Sequence, residues 1–151
     1  MQTTETQRTY CTFKVDHLYF GVEVHMVQEV IRFQRMTRVP MGPAVVQGLI
    51  NLRGQLVTAI DLRRRLGLEE RASDVEPMNV VIRTTDGSVS LLVDEIGDVM
   101  VVEENCFEPP PETLQGLPRH MIRGAYKLDG RLLLVLDTAR VVDTTSPQTH
   151  I

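Results

Sequence analysis

The chain has 151 residues, 42% of them hydrophobic and 24% charged, with a net charge of −4. That is the length of one ordinary domain and the composition of a folded one, which excludes disorder as the main state. Arginine outnumbers lysine 14 to 2, yet the mildly acidic chain lacks the positive field that phosphate-backbone binding requires. The one basic cluster, Arg63-Arg64-Arg65, is too short for a nucleic-acid footprint. With no Trp, four Phe and three Tyr, there is little surface on which bases could stack.

The polar start, Met1 to Thr9, has no apolar signal core. The longest uncharged stretch, Val39 to Leu52, holds 14 residues with two prolines and two glycines, too short to cross a bilayer. Strand patterns begin with Tyr10 to Val15 and Leu18 to Val24, joined at Asp16-His17. The alternation Phe20-x-Val22-x-Val24 predicts one buried face and then breaks at Met26-Val27, where a bulge or corner is expected. Val45 to Leu52 turns through Arg53-Gly54 into Gln55 to Ile60. Asp61 then stands where it can cap a short helix, Leu62-x-x-x-Leu66, closed by Gly67.

The same order recurs. Val80 to Ile82 and Val89 to Val93 flank a predicted Asp86-Gly87 turn, a second break falls at Glu95-Ile96, and Met121 to Leu128 turns through Asp129-Gly130 into Arg131 to Leu136. Asp137 precedes a last helical turn, Thr138 to Val142. A shift of 69 residues lays Phe20–Ile31 on Val89–Met100, so that Glu29 meets Asp98. A shift of 76 lays Gly48, Leu52, Gly54 and Asp61 on Gly124, Leu128, Gly130 and Asp137. The seven additional residues are assigned to the Pro109–Pro118 loop. Two repeats, roughly 10–66 and 79–142, are thus joined by the charged segment 67–77. About five short strands per repeat and no long helix predict an all-β fold of two small barrels with short helical turns. A unit of 60–65 residues buries only about 60% of its surface, against roughly 70% for the whole chain. The barrels are therefore expected to pack together or exchange strands and to unfold as one body.

No nucleotide-binding loop and no metal-protease motif is present, and no ligand spacing for a metal or cofactor is found. Cys11 and Cys106 stand alone and are expected to be small buried thiols in a reduced, cytoplasmic protein. His25 and Glu29 would meet only on a helix, which the strand pattern disfavours. Asp61 and Asp137 could in principle form a shared-proton dyad, as in a two-lobed aspartate hydrolase. The Gly expected after each is missing, and capping accounts for both. Arg53 is more suggestive: its counterpart is Asp129, so the turn itself does not demand a cation, and beside Asn51 a guanidinium can reach carboxylates of another chain.

Over residues 10–142 the chain resembles the CheW family of chemotaxis coupling proteins. The resemblance is carried by V-Q-E-V at Val27–Val30, G-L-I-N-L-R-G-Q-L-V-T-A-I-D-L at Gly48–Leu62, L-L-V-D-E-I-G-D-V at Leu91–Val99 and the hairpin Gly124–Asp137. It implies two five-stranded barrels of the Src-homology-3 type, with subdomains at about 14–76 and 77–142 and an N-terminal strand that pairs with either. Residues 1–9 and 143–151 are expected to be flexible tails. It further implies a non-enzymatic adaptor between the cytoplasmic tips of methyl-accepting chemoreceptors and the C-terminal regulatory domain of a CheA-type histidine kinase. Such a protein is cytoplasmic, is recruited to membrane-bound receptor arrays without inserting into the membrane, and can meet other copies there. The same fold in a surface-motility pathway is the nearest alternative. Val27, Glu29 and Arg53 match positions implicated in receptor or kinase contacts, with Gly48, Asn51 and Gly54 in the same hairpin and Ile96 and Val99 in a groove or interface of the second barrel. Ser90 stands where relatives often have Gly.

Overall fold

In the computed structural model, which describes residues 6–40, 42–112, 114 and 116–143, ten strands form two five-stranded sheets. The first repeat contributes β1 (Gln7–Val15), β2 (Leu18–Glu23), β3 (Val27–Ile31), β4 (Val46–Leu52) and β5 (Gln55–Asp61). The second contributes β6 (Met78–Thr84), β7 (Gly87–Val93), β8 (Glu95–Glu103), β9 (Ile122–Leu128) and β10 (Arg131–Leu136). Helix α1 (Leu62–Arg65) follows β5, and α2 (Thr138–Val141) follows β10.

The strand order is β8-β1-β2-β10-β9 in one sheet and β3-β6-β7-β5-β4 in the other. Exchanging each strand for its repeat-related counterpart turns one order into the other. Registers obey the same rule: Cys11 opposes Val99 as Val80 opposes Val30, and Phe13 opposes Ile96 as Ile82 opposes Val27. The parallel seams match too, Leu134 with Phe20 and Thr58 with Val89. Each barrel is thus built from the first two strands of one repeat and the last three of the other. A boundary near residue 76 divides the repeats but not the sheets.

The break in alternation is what exchanges the strands. After β2 the chain makes a 3-10 turn at Val24–Met26 and enters the other sheet as β3. After β7 it bends at Asp94 and enters the first sheet as β8, with a register shift near Ile96. Strand β1 begins at Gln7, earlier than expected, because Gln7 to Thr9 pair with Val101 to Glu103 of β8; those residues are strand, not tail. The β6–β7 turn also differs: Thr84 pairs with Gly87, so the two turn residues are Thr85-Asp86, and Thr84 Oγ1 caps Asp86 N. Residues 1–5 and 144–151 of the expected tails, and 113 and 115 of the Pro109–Pro118 loop, lie outside the described residues.

One core joins the sheets. Phe13, Val15, Phe20 and Leu134 of the first pack with Ile60, Val80, Ile82, Leu91 and Val93 of the second, with Leu62 and Val141 from the helices and with Leu66, which ends α1. Smaller clusters lie under each barrel, around Tyr10, Tyr126 and Leu133 and around Ile50, Val57 and Leu92. The thiols depart from expectation. Cys106 is exposed in the turn after β8, and Cys11 is half-buried opposite exposed Val99 on an edge strand, where the core runs out.

Candidate functional site

Most of the doubled Gly-x5-Gly-x6-Asp pattern is explained by the backbone. Each sheet curls so that the chain just beyond an edge strand reaches the opposite edge: Thr37, beyond β3, pairs with Leu49 of β4, and Glu108, beyond β8, pairs with Ala125 of β9. The crossings pass over Gly48 and Gly124. A Cβ on Gly48 would lie 2.7 Å from Thr37 O, and one on Gly124 would lie 2.5 Å from Glu108 O. Gly54 and Gly130 take the left-handed turn position, with φ of +87° and +86°. Asp61 Oδ1 accepts from Arg63 N at 3.1 Å and Asp137 Oδ1 from Arg140 N at 3.2 Å, so both aspartates cap helices. Gly48 is buried and holds the barrel seam. Gly48→Ala is expected to cost about 1–3 kcal/mol by overpacking against backbone, read as a shift of the urea midpoint.

Arg53 is where the two repeats part. It holds φ +53°, one of only two non-glycine residues with positive φ among those described; Asp129 does not. The side chain of Asn51 stabilises the turn by accepting from Gly54 N at 2.9 Å. Across the seam between the edge strands β4 and β3, Arg53 Nη1 donates to Glu29 Oε2 at 2.5 Å. Arg53 is 74% exposed and the Glu29 side chain only 16%. The hydrogen bond from Arg53 holds the Glu29 carboxyl below its ordinary pKa. The fold therefore brings Glu29, Asn51, Arg53 and Gly54 to one corner of the second sheet, with half-buried Val27 on the same edge strand as Glu29.

Ile96 and Val99 lie elsewhere, on β8, the edge of the first sheet, at the positions that Val27 and Val30 occupy on β3. Val99 is 63% exposed, and Val101 beyond it is 56% exposed. Ser90 is fully buried and donates to Asn79 Oδ1 at 2.7 Å, so it belongs to the interior. Sequence reasoning passed over Leu56, at 69% the most exposed large apolar side chain described. It sits opposite Asn51 beside the Arg53 turn. Its signal was available: with Val57 buried in the strand Gln55–Ile60, the residue before it must face outward. Sequence reasoning also missed Val30, 38% exposed on β3.

A second charged cluster ties the connecting segment to the fold. Asp94 accepts from Arg63 Nη2 at 2.6 Å, Arg71 Nε at 2.9 Å and the backbone N of Asp16 at 2.6 Å. Burial raises the Asp94 pKa, but these donors together outweigh it and hold the carboxyl below its usual range. The repeat-related positions of Asp94 and Arg63 are His25 and Ala139, so the matching place between the repeats has no such pair.

The family model for the CheW-like domain matches residues 9–146. The chain belongs to the CheW family. It is 33% identical over 147 residues to the chemotaxis protein CheW of Bacillus subtilis, covering 97% of this chain and 94% of that one. It is 28% identical over 132 residues to CheW of Thermotoga maritima, covering 87% and 85%. The crystal structure of the scaffolding protein TtCheW from Thermoanaerobacter tengcongensis is similar with a TM-score of 0.80 at 25% identity, over 87% of this chain and 90% of that one. CheW proteins are non-enzymatic scaffolding and coupling proteins of chemotaxis, in keeping with aspartates that cap helices. Among the described residues no helix is long and apolar enough to cross a membrane.

Proposed function

We propose that this CheW-family chain is an adaptor joining the cytoplasmic tips of methyl-accepting chemoreceptors to the C-terminal regulatory domain of a CheA-type histidine kinase. The observation that carries the reading is the state of Arg53. A long side chain occupies a backbone position that favours glycine, at an exposed hairpin tip, although the related turn in the second repeat does without it. Strain of that kind is kept for what the side chain touches. Glu29 pins one nitrogen of the guanidinium, and its remaining donors form a fork suited to a partner's carboxylate.

Apolar contact supplies the rest. Val27, Val30 and Leu56 flank the Arg53 corner, and Ile96 and Val99 give the first barrel a related apolar edge. Two such edges allow one chain to hold a receptor helix on one side and the kinase domain on another. Weak contacts made together in an array raise effective concentration without high pairwise affinity. Recruitment to the membrane then follows from the receptors, with no lipid contact of the chain's own.

The test is co-sedimentation with receptor-bearing membranes and kinase. Arg53→Asn keeps the turn, since Asn-Gly is a favoured pair there, and removes the guanidinium. Loss of one charge-assisted contact worth about 1.5–3 kcal/mol is expected to weaken kinase recruitment at least tenfold with the thermal midpoint unchanged. Undiminished recruitment by Arg53→Asn would remove Arg53 from the docking site.

A further inference from the structure

Among the described residues, every ladder between strands other than the four hairpins joins one repeat to the other: β1 with β8, β2 with β10, β3 with β6 and β5 with β7. Within a repeat the strand pairings described are the hairpins, β1–β2 and β4–β5 in the first, β6–β7 and β9–β10 in the second, to which barrel closure adds one bridge each, Thr37–Leu49 and Glu108–Ala125. Neither repeat alone owns a sheet of more than two strands, and isolated hairpins are marginal in water. One stretch of chain, residues 67–77, connects the repeats. Its Arg71 is half-buried against Asp94, but Ala72 to Glu76 are exposed, and their one backbone hydrogen bond described is internal, Val75 N to Ala72 O.

The seams are also selective. Arg63 of the first repeat meets Asp94 of the second, and Arg65 donates to the carbonyl oxygens of Arg140, Val141 and Asp143. Two first repeats together would set Arg63 against His25. Two second repeats would leave Asp94 facing Ala139, with Val141 in place of Arg65. Like repeats therefore forfeit the Arg63–Asp94 pair, and two second repeats lose the Arg65 contacts as well.

From this we infer that the two repeats are complementary halves, held together by their seams and not by the connection, and that the first repeat of one copy accepts the second repeat of another. Residues 72–76 are the hinge. In the closed monomer the tether keeps the matching half at high local concentration. Once that tether is cut, or the halves open together at high protein concentration, a second copy supplies the same surface. The exchanged species is a dimer of two complete bodies, each carrying one Glu29–Arg53 corner. This holds whatever partner that corner binds.

The full chain with a protease recognition sequence inserted between Ser73 and Asp74, folded first and then cut, tests it; a second insertion between Val75 and Glu76 guards against a local effect. The cut protein is expected to stay one body in native mass spectrometry, with both fragments in equal amounts and a melting midpoint that rises with concentration. Light and isotopically heavy cut proteins, mixed through partial unfolding in urea and returned to buffer, are expected to give hybrids as half of the population. Fragments that separate on cutting, fragments that keep native spectra apart, the absence of hybrids, or failure of both inserted chains to fold would each overturn the inference.

Discussion

Phe13→Ala is expected to lower the free energy of unfolding by about 4 kcal/mol while leaving a single cooperative transition. Phe13 is fully buried and stacks on Phe20 with ring centroids 6.2 Å apart, in the core that both sheets share. Removing it leaves a cavity in the layer that joins the barrels, so both lose support together. For a chain of this length the midpoint should fall by roughly 12 °C. Differential scanning calorimetry checks both points. Two resolved transitions would mean that the barrels are separate folding units, against the strand exchange.

Asp94→Ala is expected to cost about 3 kcal/mol, because it leaves the covered Arg63 and Arg71 guanidinium groups with only their longer carboxylate contacts, to Asp16 at 4.0 Å and Asp61 at 3.6 Å. The Asp94 side chain is 14% exposed, so water cannot readily take its place. The pH dependence has a definite sign. The folded pKa lies below the ordinary value of 3.8, so the stabilisation is complete above about pH 4 and drains as pH falls through the folded value. The stability gap between wild type and Asp94→Ala, measured in urea at stepped pH, should be constant near neutrality and narrow below pH 4. A gap unchanged down to pH 2 would show that the ion cluster contributes nothing through charge.

What repeats in this sequence is fold, and the two repeats part at the Arg53 turn and at the Arg63–Asp94 pair. Gly48, Gly54 and Asp61 recur as Gly124, Gly130 and Asp137 because a barrel seam, a left-handed turn and a helix cap must be made twice. Strand patterns and turns could be read locally for the same reason. The exchange of strands could not be assigned from the pattern alone: period-2 alternation tells which face is buried but not which sheet a strand enters. That choice is made at Val24–Met26 and at Asp94, where short corners carry the chain across. Alternation marked the corners without giving their direction.

The Arg53 corner was half legible. Arg53 stood out because Asp129 replaces it in the second repeat, and Glu29 only because the family resemblance carries a contact position onto it. That they bond to each other follows from barrel closure, which brings edge strand β3 to the β4–β5 tip and has no signature at the level of spacing. The Asp94 cluster had no local signal either, since Asp16, Arg63, Arg71 and Asp94 come from four separate places in the chain. Thiol burial was misjudged at Cys106 because average burial of cysteine says little about a residue in a surface turn.

The most direct measurement is titration calorimetry of this chain against the C-terminal regulatory domain of a CheA-type kinase from the same genome, repeated with Arg53→Asn. The adaptor account predicts saturable one-to-one binding that weakens at least tenfold in the variant. No heat with the wild-type chain, and no co-elution with that domain, would contradict it.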